Sequence, residues 1–141
     1  QIMGSAATLY NNKDHKERIK ETRNIRYHEK LKHDKRFMLD GAFSKAIRKE
    51  LKRKKLKKPK PWENLLGYTV EDLMKHLESK FKPGMTWENY GSYWHIDHIK
   101  PKTWFQYNSV EDPAFRDCWV LENLQPLEAI ENSRKGNRYE G

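Results

Sequence analysis

Cysteine is almost missing from this 141-residue chain, where Cys118 stands alone. No disulfide can form within it, nor a zinc knuckle built from paired cysteines, so no structural zinc is expected. Long apolar runs are missing as well. No stretch reaches the roughly 18 apolar residues of a membrane span, and the basic segments lack the continuous apolar face of a helix that lies on lipid. Hydrophobic residues make up only 35% of the chain and charged residues another 35%. One compact domain with extensions is therefore expected, its core rich in aromatics because five Trp help raise their share to 12%. No secretory leader is visible, which points to a cytoplasmic rather than a secreted protein. Residues 1–9 read as a cleavage or cloning remnant, or as disordered chain.

Acidic residues are scarce in one half only. Residues 1–60 carry 20 Lys/Arg against 7 Asp/Glu, a balance of +13, whereas residues 61–141 carry 9 against 13, a balance of −4. A polyanion is the natural partner of the first half, and a phosphate backbone is the most obvious one. Residues 10–60 read as a basic arm, helical or partly disordered at its start. From Asp40, a plausible N-cap, the pattern sharpens: Phe43, Ile47 and Leu51 recur every fourth residue and align on one helical face. Lys45, Arg48, Lys49, Lys52 and Arg53 occupy much of the remainder, with Lys54 and Lys55 following. These seven are candidate nucleic-acid contacts; a solvated amphipathic helix is the plainer reading. That helix should stop before Pro59 or Pro61. A second helix is predicted from Val70 to about Lys80, with Thr69 and Asp72 spaced as a capping box.

The most informative stretch comes later. His95-Ile96-Asp97-His98-Ile99 and Pro101 are followed by Asn123-Leu124-Gln125-Pro126-Leu127 and then by Asn132-Ser133-Arg134-Lys135-Gly136. Tyr93 to Ile99 predicts a short strand, residues 100–117 a long connection, Cys118 to Leu121 a second strand, and Pro126 to Lys135 a helix. In order and spacing these pieces resemble the HNH nuclease signature, the one-metal ββα (His-Me finger) site. Gly67-Tyr68-Thr69-Val70-Glu71-Asp72-Leu73 and Gly84-Met85-Thr86-Trp87-Glu88-Asn89-Tyr90-Gly91 also read as small HNH proteins of phage and bacterial genomes read. The resemblance spans about half the chain, from Leu66 to Asn137.

It implies an α+β fold: a ββα-metal core at about residues 92–138, inside an HNH domain of residues 61–141, with a helical basic N-terminal extension. It implies a metal-dependent endonuclease that hydrolyses DNA phosphodiester bonds, double-stranded DNA being the expected partner, in a bacterial or phage-infected cell. By the same resemblance Asp97 binds Mg²⁺ or Mn²⁺, one ion per site, His98 is the general base, Asn123 buttresses the loop carrying that base, and Asn132 is the second ligand. Where some members have His, Asn132 keeps an oxygen donor, which favours Mg²⁺ over a softer ion. Glu128 departs from the apolar residue common there; it adds to the metal shell or pairs with Lys135.

The plainer readings stand beside these. Asp97 and His98 alone would be ordinary turn or surface residues. His95 shares the strand face of Asp97, so it reaches the metal or the scissile phosphate, or else it is simply packed. Arg134 and Lys135 neutralise phosphate, or only complement a helix C-terminus. The Trp residues read as core rather than as platforms for bases. Two rival functions remain open: a non-catalytic nucleic-acid-binding protein, and a nuclease acting on RNA or indifferent to the sugar. One site per chain cuts one strand, so monomer and homodimer are both open.

Overall fold

A computed structural model describes residues 13–57 and 61–139. The expectations for residues 1–9 and for the helix stop at Pro59 lie outside the described residues. The chain divides into two compact units, one ending at Met38 and one beginning at Leu39.

In the first unit, helix α1 (Lys13–His33) is built from long-chain Lys, Arg and Glu with good helix propensity. Its apolar side chains Ile19, Ile25 and Tyr27 are exposed. Near its end Tyr27 meets Phe37 edge-on at 5.8 Å, and the Lys30 ammonium lies 4.3 Å over the Phe37 ring.

Helix α2 (Lys35–Arg53) starts five residues before the expected cap. Asp34 does the capping, its carboxylate accepting from the Phe37 amide at 2.9 Å, while Asp40 lies within the helix and accepts from the Trp62 indole N–H at 2.7 Å. From Leu39 onward α2 belongs to the second unit. Its stripe of Leu39, Phe43, Ile47 and Leu51 is buried, and Phe43 meets Trp62 and Trp119 edge-on at 4.8 and 5.3 Å. The domain core therefore starts well before residue 61.

Two short helices follow, α3 (Trp62–Leu66) and α4 (Val70–Glu78). Gly67, at φ 78°, ends α3 in the left-handed conformation that glycine tolerates best. The capping box forms as predicted: Thr69 Oγ1 accepts from the Asp72 amide at 3.1 Å, and Asp72 accepts from the Thr69 amide at 2.9 Å. Val70, Leu73 and Leu77 are buried. Thr69→Ala is expected to cost about 1 kcal/mol in urea unfolding, with the slope unchanged.

The strands are β1 (Trp94–His98) and β2 (Leu124–Glu128), an antiparallel pair. Between them the expected long connection holds a 3₁₀ turn, Lys102–Trp104, then α5 (Pro113–Trp119) and a second 3₁₀ turn, Leu121–Asn123. Cys118 and Trp119, predicted in the second strand, instead complete α5, which Asp112 caps and Pro113 opens. Pro126, predicted to open the last helix, lies inside β2 opposite Ile96. A fixed φ near −65° suits extended chain as well as a first helical turn, and a two-stranded ribbon tolerates the missing N–H. Helix α6 accordingly begins only at Ala129 and runs to Lys135. The described chain is α+β, mostly helical, with one small sheet.

Fully buried Trp94 anchors β1. Its indole N–H donates to the Thr86 carbonyl at 2.7 Å, and Phe81, Trp87 and Tyr90 surround the ring. The start of β2 is tied to α4, where His76 Nε2 donates to the Leu124 carbonyl at 2.8 Å. A carbonyl can only accept, so this bond fixes the proton on Nε2. Among the described residues no helix is long and apolar enough to cross a membrane.

Candidate functional site

In the strand pair Asp97 faces Gln125 and His98 faces Leu124. Alternation along β1 sends His95 and Asp97 to one face, and Trp94, Ile96 and His98 to the other. Asp97 is 7% exposed. Its Oδ2 accepts from Gln125 Nε2 at 2.9 Å and from Lys135 Nζ at 2.7 Å. The same ammonium donates to the main-chain carbonyl of His98 at 2.5 Å. Thus β1, β2 and α6 each bring a polar group to one point. Gln125 and Lys135 also line a cleft of about 470 Å³ with Leu127, Glu131, Arg134 and Arg138.

A buried carboxylate is tolerable only if its charge is met. Here a monovalent side-chain cation meets it, which marks the point as one that holds positive charge. The oxygen atoms at hand are the Asp97 carboxylate and the His98 main-chain carbonyl, hard donors of the kind Mg²⁺ and Mn²⁺ prefer, while Gln125 presents its amide nitrogen.

His98 has a different environment. Its ring packs edge-on against Trp119, centroids 4.5 Å apart, and its Nε2 is buried with no hydrogen-bond partner among the described residues. Burial, and then the nearby charges of Lys102 and Lys135, press its pKa down to about 3, so the ring is neutral at pH 7.

Asn123 closes the 3₁₀ turn ahead of β2 and works as a strap. Its Oδ1 accepts from the Lys100 amide at 2.8 Å, while its Nδ2 donates to the carbonyls of Lys100 at 3.1 Å and Cys118 at 2.9 Å. Its own carbonyl accepts from the Ile99 amide at 2.8 Å. The residues just after His98 are thereby held to the end of α5.

Asn132 stands on α6, half-buried, three residues before Lys135 and so on the same helical face. No hydrogen bond joins its side chain to Asp97 among the described residues. Glu128 ends β2 instead of sharing that helix face, and Lys135 pairs with Asp97 rather than with Glu128. His95 is half-buried opposite Leu127. The structure thus gathers Asp97, Gln125 and Lys135. It sets the His98 ring on the far side of β1, linked to that point through the carbonyl that Lys135 holds.

Among the basic candidates, Lys45, Arg48, Lys49, Lys52 and Lys55 are exposed. Arg53 grips buried Glu50 through two hydrogen bonds, 2.6 and 3.3 Å. Lys54 is turned inward, its ammonium donating to the Phe105 carbonyl at 3.0 Å and lying 4.3 Å over the Tyr107 ring. Arg134 pairs with Glu131 at 3.2 Å. Trp62, Trp94 and Trp119 are core, whereas Trp104 is 48% exposed with its N–H donated to the Asn137 carbonyl.

Sequence reasoning missed Gln125, Trp119 as the neighbour of His98, and Lys102. The alternation of Leu124 and Pro126 around Gln125 was the available signal for the first. Nothing local marks the other two, which depend on α5 folding back beneath β1.

Two curated relatives match, both uncharacterized proteins of Acanthamoeba polyphaga mimivirus. One is 35% identical over 102 residues, 71% of this chain and 44% of its own length. The other is 30% identical over 69 residues, 49% of this chain and 30% of its own length. The chain therefore spans less than half the length of these relatives. No family model matches the chain, and no solved structure matches it.

Proposed function

We propose that the chain is a metal-dependent endonuclease of HNH type, its β1–β2–α6 unit serving as the ββα-metal site that hydrolyses DNA phosphodiester bonds. One observation carries this reading: a buried carboxylate at the junction of two strands and a helix, already holding a cation, adjoins a strapped turn that follows a neutral histidine. Asp97 and Asn132, with the Gln125 amide alongside, would hold a Mg²⁺ or Mn²⁺ ion. When bound, such an ion neutralises the phosphoryl oxygens and eases departure of the 3′ oxygen.

The chain's own residues do the rest. His98, unprotonated at neutral pH, takes the proton of the attacking water. Its Nε2 is engaged by no other group among the described residues. Asn123 is a positioning residue, since it touches backbone on both sides of the turn and only through that backbone sets the imidazole. The basic face of α2, with Arg134, binds the phosphate backbone, which positions the duplex without reading its sequence.

Nicking of supercoiled plasmid in Mg²⁺, set against EDTA, is the test. Conversion to open circle in Mg²⁺ alone is expected. DNA binding with no nicking in Mg²⁺ or Mn²⁺ would leave a non-catalytic binding protein, in which Lys135 permanently neutralises Asp97. Parallel RNA substrates decide the sugar.

A further inference from the structure

Away from the Asp97 cleft, a second cleft of about 350 Å³ is lined by Lys49, Glu50, Lys52, Arg53 and Lys102. The first four come from the last turns of α2, and Lys102 comes from the 3₁₀ turn four residues after His98. We propose that this cleft is a second phosphate subsite, which takes a backbone phosphodiester of the strand being cut. That the strand is cut rests on the nuclease reading; the phosphate site itself rests on the charge and placement of the cleft.

Four cations surround one carboxylate, so the cleft carries a net +3. Glu50 does not undo this. Its side chain is buried and already engaged by Arg53 through both oxygens. Burial alone would push the Glu50 pKa up. The Arg53 hydrogen bond, with Lys102, Arg53 and Lys54 nearby, outweighs it and keeps the carboxyl below its ordinary value, hence ionised. An ionised Glu50 fixes the Arg53 guanidinium in one orientation, and a guanidinium held in place loses less entropy when it meets phosphate.

The position of the cleft matters as much as its charge. The Lys102 ammonium lies 6.0 Å over the Trp119 ring, and His98 packs edge-on against that same indole at 4.5 Å. Lys102 and His98 therefore flank one side chain. The cleft is therefore joined to the turn that follows His98 both along the chain and through the Trp119 indole. No run of sequence shows this, because 49 residues separate Lys102 from Arg53.

The experiment is fluorescence anisotropy of a labelled DNA duplex in EDTA across about 50 to 200 mM salt. Lys102→Gln and Lys52→Gln are each expected to lower the slope of log affinity against log salt by about one, and the double variant by about two. Lys102→Arg should keep the wild-type slope. Lys75→Gln, which removes an exposed lysine of α4 outside the cleft, controls for net charge. Thermal melts verify folding, and exposed Lys52 provides a handle independent of any packing role of Lys102. If Lys102→Gln and Lys52→Gln leave the slope at the wild-type or Lys75→Gln value, the subsite is refuted. Because no metal is present, this outcome is separate from nicking: a slope change without nicking in Mg²⁺ sinks the nuclease reading and keeps the phosphate site.

Discussion

With Asp97 replaced by alanine, Mg²⁺-dependent plasmid nicking should fall to the level of the blank, while duplex affinity in EDTA stays that of the wild type. His98→Ala should lower nicking by about 10²–10⁴-fold, the range a general base contributes. The two losses have different companions. Removing Asp97 leaves the Lys135 ammonium, 20% exposed at its side chain, without its counter-charge, and also strips Gln125 Nε2 of its acceptor. Breaking a buried pair from one side costs about 3 kcal/mol, so Asp97→Ala should show a lowered urea midpoint as well as lost activity. Asp97→Ala/Lys135→Met removes the stranded charge and should recover most of that stability, with no activity. Nicking retained by Asp97→Ala at the wild-type rate, with contaminating nuclease excluded by a mock preparation, would overturn the metal-site reading.

Much of this arrangement was legible in the chain, and the misses share one cause. Local chemistry could be read: Thr69 and Asp72 form the predicted capping box, Phe43, Ile47 and Leu51 form the predicted buried stripe, and β1 lies where Tyr93 to Ile99 predicts it. Asn123 makes the contacts of a residue that straps the turn after His98. What failed was the assignment of residues 113–128. Cys118 to Leu121 is apolar enough for a strand, but Asp112-Pro113 starts a helix whose buried side is Phe115, Cys118 and Trp119. Tertiary burial of that side against Phe43 decides the outcome, and neighbours distant in sequence do not show in a local window. The shift moved the second strand to Leu124–Glu128 and so hid the pairing of Gln125 with Asp97. Charge was misjudged for a related reason. Lys54 and Lys52 look alike in sequence, yet one ammonium is spent on the Phe105 carbonyl while the other faces a cleft.

Acid should unfold the metal-free protein earlier than its carboxylates alone would require, and His98 is the reason. In the folded chain its pKa is held at about 3, against the ordinary 6.5 in the unfolded chain. Between those values the unfolded chain binds a proton that the folded chain refuses, so stability rises with pH across that window. The contribution is fully present above about pH 6.5 and is lost progressively as pH falls toward 3. By pH 4 the loss is on the order of 3 kcal/mol from this one ring. Glu50, held ionised beside Arg53, acts in the same direction at low pH, so the wild-type curve by itself does not isolate the histidine. His98→Phe does. Phenylalanine keeps an aromatic edge against Trp119 and carries no proton, so urea midpoints in EDTA should match the wild type near pH 4 or exceed it, and lose much less between pH 7 and pH 4. Parallel curves for the two proteins across that interval would mean that the ring meets water in solution and is not held neutral by burial.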